Sequence, residues 1–439
     1  MMGKSDDGTD GDDSTGGTTP RRSLGELIAP RRLGADFRWL LASSWTSNIG
    51  DGIALSAAPL LIASLTSSPL LVAAGAMMQF LPWLLFGLLA GSIADHRDRR
   101  RLVMLANGTR AVIVLGLVVF LATGQVTVWI VLVTSFLYGT AEVFADTAGS
   151  TLLPMMVRPA DLGIGNARLQ AGFLVGNQLA GPPLGAFLFA IGSFWPFLVQ
   201  ILCVSLAVIL ISRIARTQIH ETDAVPTGTS HRIREGLRWL RGNPPVRTLV
   251  IIILVFNVTF AAPWGILVLY ATEHLGMGPV GFGALTTASA LGGLVGTGCF
   301  GWLERHVSFA TLMRVCLSLE VVMHLSFALT TSGVVAFIIM FAFGAYAFVW
   351  GTISTSVRQR LVPLSLQGRI ASVNMVGVFG GLVIGQFLGG LIAQAWGLTA
   401  PWWFACAGSA ITLLLVWRSL SHIAAAPPVL DAGEAPPQP

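Results

Sequence analysis

The sequence predicts an all-α membrane protein: twelve transmembrane helices in two pseudo-symmetric six-helix halves, with both termini cytoplasmic. Three observations predict it. First, 54% of the 439 residues are apolar, only 11% are charged, and the mean hydropathy is +0.74. A soluble domain carries about 25% charged residues, and a disordered chain is poor in apolar ones, so neither class fits the bulk of the chain. Second, the apolar residues fall into twelve segments, and one spanning helix needs roughly 20 of them. Third, the arginines crowd into alternate connections between those segments.

Taken in order, the segments are 38–65, 70–94, 102–122, 126–155, 164–191, 195–214, 247–271, 279–303, 308–330, 333–357, 369–393 and 400–420. One set of connections holds Arg97, Arg99–Arg101, Arg158, the arginines from Arg213 to Arg247, Arg305, Arg358, Arg360 and Arg369. The other set holds no Lys or Arg, and its only ionisable residues are Glu273 and His274. Basic loops stay cytoplasmic, so both ends of the chain are expected inside, and an even count of twelve keeps the alternation.

The expected organisation follows. Residues 1–37 form a disordered cytoplasmic tail, rich in Asp, Gly, Ser and Thr and without the apolar stretch of a signal peptide. Residues 38–214 form the first six-helix half, 215–246 a cytoplasmic linker, 247–421 the second half, and 422–439 a disordered Ala- and Pro-rich tail. In the linker, 231–243 places Ile233, Leu237 and Leu240 on one face and Arg234, Arg238 and Arg241 on another, an amphipathic helix for the membrane surface. A shift of 210 residues lays Pro69 on Pro279, Gly91 on Gly301 and Arg110 on Glu320; a shift of 204 lays 181–186 on 385–390. These matches point to duplicated halves, an arrangement of transporters with a central site.

Composition excludes several chemistries. The only lysine, Lys4, lies in the N-terminal tail, so a Walker A phosphate loop is excluded. Cys203, Cys299, Cys316 and Cys406 lie far apart, with no CxxC or Cys/His cluster, so no metal site or disulfide framework is expected. No nucleophile constellation appears, and no enzyme activity, cofactor or nucleic-acid partner is expected. The expected partners are the lipid bilayer, a small molecule and protons, and the expected state is a monomer in the cell membrane.

The connection after span two reads Gly91-Ser-Ile-Ala-Asp95-His96-Arg97-Asp98-Arg99-Arg100. It resembles motif A of the major facilitator superfamily, G-x-x-x-D-R-x-G-R-R, through Gly91, Asp95, Arg99 and Arg100; His96 and Asp98 depart from it. Topology alone would need neither the glycine nor the acid. The resemblance implies a latch between the halves, with Asp95 capping the eleventh span near Gly368 and Arg99 pairing with an acid at the end of span four, Asp161. In span five, Gly181-Pro182-Pro183-Leu184-Gly185-Ala186 resembles the end of motif C of the antiporter branches, and it would serve equally as a kinked small-residue packing seam. Across 38–420 the layout is similar to the drug:proton antiporters that include macrolide-efflux proteins and the enterobactin exporter. Asn48-Ile49-Gly50-Asp51-Gly52 in span one and Arg360-Leu361-Val362-Pro363 before Gly368-Arg369 are similar to that group.

Charges inside the membrane are functional candidates, because each is costly to insert. They are Asp51 in span one, Glu142 and Asp146 on one face of span four, Glu320 in span nine and Arg110 in span three. Arg110 is expected to pair with Asp51 or with the Glu142/Asp146 face, and one arginine cannot neutralise four acids. Asp51, Glu142, Asp146 and Glu320 are therefore candidate proton-coupling groups. Trp45, Asn48, Tyr138, Phe173, Asn257, Trp264, Tyr346 and Trp350 are candidate walls of an apolar cavity with a few polar groups, which suits amphiphilic molecules. The reading is a proton-driven exporter of drugs or natural products working by alternating access. A dedicated siderophore or self-resistance exporter and a transport-inactive scaffold or sensor are the alternatives.

Overall fold

A computed structural model describes residues 30–215, 238, 241–362, 364–418 and 420. Among these residues twelve long helices follow one another: α1 Gly34–Leu65, α2 Pro69–His96, α3 Arg99–Ala122, α4 Val128–Ser150, α5 Pro159–Ile191, α6 Trp195–Ser212, α7 Pro244–Trp264, α8 Pro279–His306, α9 Phe309–Leu329, α10 Gly333–Leu361, α11 Leu364–Trp396 and α12 Ala400–Val416. Their starts obey local rules. Prolines open α2, α7 and α8, where the missing N–H costs nothing. Asp98 caps α3 by accepting from the Arg101 amide at 3.1 Å, which explains an acid where motif A has glycine. Thr127 caps α4 and Ser308 caps α9 in the same way. Gly124, at φ 67°, turns the chain out of α3.

Among the described residues, eleven helices are long and apolar enough to cross a bilayer. The twelfth, α12, has 17 residues; at about 1.5 Å per residue it falls short of a ~30 Å hydrocarbon core. The expected boundaries shift in two places, and one helix is irregular inside. Helix α1 begins at Gly34, because Leu33 and Phe37 are buried against Ala94, Val103 and Ile211, so the expected tail ends sooner. The seventh segment stops at Trp264 rather than running to 271: Pro263 and Gly265 break it, and a short turn Leu267–Leu269 and a wider one Tyr270–His274 follow. Helix α5 is not uniform. Between its two α-helical parts, Leu162–Gly172 and Gly181–Ile191, the stretch Phe173–Ala180 is π-helical. Pro182 and Pro183 lack N–H groups, so the α ladder cannot run through them and the preceding turn widens. The amphipathic helix expected over 231–243 lies outside the described residues, apart from 238 and 241–243.

Helices α1–α6 pack together, as do α7–α12, and the two groups meet along α2 against α11 and α5 against α8. Small residues let the backbones approach. A Cβ on Gly52 or Gly181 would meet the facing backbone of α5 or α1, and one on Gly185 would meet Ile53 and Ser56. Ser56 Oγ also donates to the Pro182 carbonyl at 2.8 Å. The motif C-like segment is therefore a seam between α1 and α5, and Pro182 and Ala186 also border Gly283 of α8. In the other half Gly381, Gly385 and Gly389 repeat every four residues on α11 and seat it on Leu254, Val258 and Ala262 of α7. Gly385→Leu is expected to force these helices apart. Overpacking of this kind costs about 1–3 kcal/mol, and the melting temperature of the purified protein should fall; an unchanged value would mean that the seam is loose.

Candidate functional site

Three helices converge on one buried charge. Arg110, on α3, is fully buried. Its Nη2 donates to Asp51 Oδ1 of α1 and, at 2.5 Å, to Tyr138 Oη of α4. Its Nη1 donates to Asn107 Oδ1 at 2.7 Å and to Ser47 Oγ at 3.2 Å. Tyr138 Oη donates in turn to Asp51 Oδ1 at 2.5 Å, and Ser47 Oγ donates to Asp51 Oδ2 at 3.3 Å. The guanidinium also lies 4.5 Å from the Tyr138 ring centre. Of the three acids open to Arg110 in sequence, the structure selects Asp51. Neither Glu142 nor Asp146 has an ion-pair partner within 4 Å among the described residues.

This network separates two chambers of the first half. One, of about 90 Å³, is lined by Asp51, Tyr138, Glu142, Gln79 and Gln200. The other, of about 660 Å³, lies toward the arginine-rich end and is lined by Asp51, Asn48, Asn107, Asp146 and Phe173. Asp51 borders both. Helix spacing brings the pieces together: Ser47 and Asp51 are four apart on α1, Asn107 and Arg110 three apart on α3, and Tyr138, Glu142 and Asp146 four apart on α4. Ser47 and Asn107 were not singled out from sequence. Their spacing to the charges could have found them.

The second half carries a different cluster. Glu320 Oε2 accepts from Tyr346 Oη at 2.7 Å, and Oε1 is 3.5 Å from His324 Nε2. His324 Nδ1 lies 3.1 Å from Ser409 Oγ. Both Glu320 and His324 are buried. His324, four residues after Glu320 on the same helix face, also escaped the sequence reading. Asn257, Tyr346 and Trp350 line a chamber of about 180 Å³ with Glu320. Trp264 lines a fourth chamber, of about 290 Å³, between the two halves, with Leu55, Gln79 and Gln178 on one side and Phe343, Leu382 and Gln386 on the other. The expected wall residues thus fall into four places rather than one cavity. Trp45 donates from Nε1 to the Arg168 carbonyl at 3.1 Å and packs on Gly172, which gives it a place between α1 and α5.

The halves touch toward the end opposite the arginines. There Ser68 Oγ donates to Gln394 Oε1 at 2.9 Å and Gly390 meets Leu70 and Ala73; midway along the same two helices the Trp83 and Phe379 rings stack at 5.4 Å. The motif A residues bond only within their own half among the described residues. Asp95 is exposed and 3.9 Å from Arg99. Arg99 donates to the Ala94 carbonyl and to Met155 Sδ, and Arg100 donates to the Ile211 and Ser212 carbonyls at the end of α6. A Cβ on Gly91 would meet nothing within 4 Å. The expected Arg99–Asp161 pair is absent. Asp161 stands at the start of α5, where Arg158, three residues away on the same turn, reaches it at 2.8 Å and Arg32 at 3.8 Å. The capping of α11 by Asp95 would fall on 363–369, whose side chains lie outside the described residues.

Two bundles of apolar helices, joined along α2–α11 and α5–α8 about a central chamber, define a major facilitator transporter. The chain belongs to that superfamily's transmembrane secretion effector family, whose model matches residues 27–433. It is a multi-pass cell-membrane transporter and not an enzyme. The multidrug efflux pump Tap of Mycolicibacterium fortuitum is 29% identical over 385 residues, covering 82% of this chain and 90% of the pump. Macrolide efflux protein A of Streptococcus pyogenes is 20% identical over 363 residues, covering 80% and 87%. Among solved structures, a bacterial homologue of the iron transporter ferroportin in its inward-facing state superposes with a TM-score of 0.71 at 17% identity, covering 88% of this chain and 98% of that one. The outward-facing structure of a bacterial ferroportin homologue gives 0.58 at 18% identity, covering 89% and 100%.

Proposed function

We propose that the protein exports amphiphilic drugs or natural products in exchange for protons, by alternating access of its two halves. The observation that carries this reading is the position of Asp51. It is buried beside Arg110, yet it lines both chambers of the first half. A carboxylate there can meet a proton from one side and give it up to the other, and Arg110 is the partner it would release or regain. The multidrug and macrolide pumps among its relatives support efflux as the direction. A proton moved down 100 mV, or an equivalent pH difference, supplies ~2.3 kcal/mol, a substrate ratio of roughly 50. No cofactor is required.

In this reading α12 is the twelfth span, both termini are cytoplasmic, and the arginine-rich end faces the cytoplasm. The closed α2–α11 contact at the opposite end and the disengaged motif A then correspond to a state open inward. The halves 38–214 and 247–421 rock about the central chamber, and Asp95, Arg99 and Arg100 engage the second half when the transporter turns outward. Glu142 and Asp146, on the chamber walls, are the next proton stations. The test is uptake into everted membrane vesicles: vesicles with the protein should take up dyes or antibiotics when respiration acidifies their lumen and lose them when an uncoupler is added. Uptake that ignores the uncoupler would overturn proton coupling.

A latch role for motif A gives a separate expectation. Asp95→Asn should slow turnover and shift the distances between spin labels on α2 and α11 toward the inward-open set, with substrate affinity unchanged. A loss of affinity at unchanged turnover would contradict it.

A further inference from the structure

We propose that Glu320 and the aromatic rings around it form a receptor for the positively charged head of a lipophilic organic cation. The inference rests on the export reading and moves Glu320 from the proton path to the substrate. The chamber of about 180 Å³ beside Glu320 has walls of Phe256, Phe260, Phe343, Tyr346 and Trp350. The rings stand in contact: Phe256 and Trp350 stack at 6.2 Å, Phe260 and Phe343 at 5.5 Å, and Phe343 meets Tyr346 edge-on at 5.6 Å. Aromatic faces attract a cation, and more strongly where water is excluded.

The carboxylate at the back of this box is unlike Asp51. Asp51 has an arginine, whereas no Lys or Arg among the described residues lies within 4 Å of Glu320. One oxygen, Oε1, has no hydrogen-bond partner among the described residues, and neither has the facing His324 Nε2. Glu320 is 4% exposed. A buried carboxylate hydrogen-bonded to one phenol, with an imidazole 3.5 Å from its other oxygen and π faces around it, is arranged for a cation that brings charge without needing many hydrogen bonds, such as a tertiary or quaternary ammonium.

Access comes from the central chamber. Phe260 and Phe343 line both spaces, so a rotation of these rings joins them. The smaller space suits a head group, and the larger one, about 290 Å³, suits the body of the molecule. Trp264 Nε1 and Gln386 Oε1, on the walls of the larger one, are buried without hydrogen-bond partners among the described residues. They offer a donor and an acceptor to polar groups on that body.

The test uses two probes on the full-length protein in lipid nanodiscs, without any gradient. One is a pyrenylbutyl chain ending in trimethylammonium; the other is its neutral tert-butyl isostere. Wild type should bind the cation at least ~10-fold more tightly, a difference of about 1.4 kcal/mol. Glu320→Gln should remove that preference and leave the isostere's affinity unchanged, while Asp51→Asn should keep the preference. Equal affinities in wild type, or a preference that survives Glu320→Gln, would overturn the proposal. Should Glu320→Gln not fold, wild type alone decides. Carbodiimide modification of Glu320, read by mass spectrometry, should be slowed by the cation and not by the isostere, and modification unaffected by the cation would overturn the proposal. A cation preference without gradient-driven efflux would sink the export reading alone, and efflux without the preference would sink only this one.

Discussion

Arg110→Ala is expected to cause the largest loss of folded protein of any single substitution at the site. The guanidinium bonds to four side chains on three helices, Asp51 and Ser47 on α1, Asn107 on its own α3, and Tyr138 on α4. Removing one member of a buried pair leaves the other uncompensated, at a cost of about 3–5 kcal/mol. A folded stability of about 5–15 kcal/mol does not absorb that easily. Monodisperse yield by fluorescence-detected gel filtration should drop several-fold, and transport should vanish. The acid that Arg110 answers to can be read from double substitutions. Arg110→Ala with Asp51→Asn should regain part of the yield without transport, because a neutral amide replaces the stranded carboxylate. Arg110→Ala with Glu142→Gln or Asp146→Asn should behave additively, since neither acid contacts the arginine. Strict additivity with Asp51→Asn as well would show that Arg110 is held by something other than this pair.

Asp51→Asn should abolish gradient-driven efflux in a protein that still folds. The amide oxygen can accept from Arg110 in place of Oδ1, and Arg110 keeps Tyr138, Asn107 and Ser47 as acceptors. Asp51 and Asn107 also border the wide chamber, so the remaining charge is not sealed in hydrocarbon. The lost property is proton exchange. Accumulation against a gradient, worth a ratio of roughly 50 for one proton moved through 100 mV, should fall toward unity, while downhill flow of the same drug persists. Full efflux by Asp51→Asn, still collapsed by an uncoupler, would remove Asp51 from coupling and pass the role to Glu142, which lines the same small chamber.

The sequence made the helices and the buried charges legible, because a bilayer allows few alternatives. Apolar length marks a span, and an ion within it is an exception that must have a partner. Arg110 stands nine residues past Arg101, roughly 13 Å deeper by helical rise, and that depth already argued against a residue reaching back to the surface. Its partner was not legible. Spacing puts Glu142 and Asp146 on one face of α4 but does not say how α1, α3 and α4 rotate against each other. The glycine seam of Gly52, Gly181 and Gly185 fixes α1 against α5, and only the folded packing brings α3 and α4 to it. The same limit scattered the expected aromatic walls over several chambers and left Trp45 in a packing role. Asp161 was matched to Arg99 by family pattern, whereas Arg158, on the same turn, was the nearer cation. Pro263 and Gly265 end the seventh helix, although the apolar run that marks the span continues beyond them to Ala271.

The account depends most on proton exchange at Asp51, and proton flux measures it directly. The purified protein is reconstituted into liposomes containing a pH-sensitive dye, at equal internal and external pH. A drug that the protein transports is then added outside. The account predicts that entry of the drug drives protons out, raising internal pH in wild type and leaving it unchanged in Asp51→Asn. Drug entry with no proton movement in wild type, or an equal proton flux in Asp51→Asn, would contradict it.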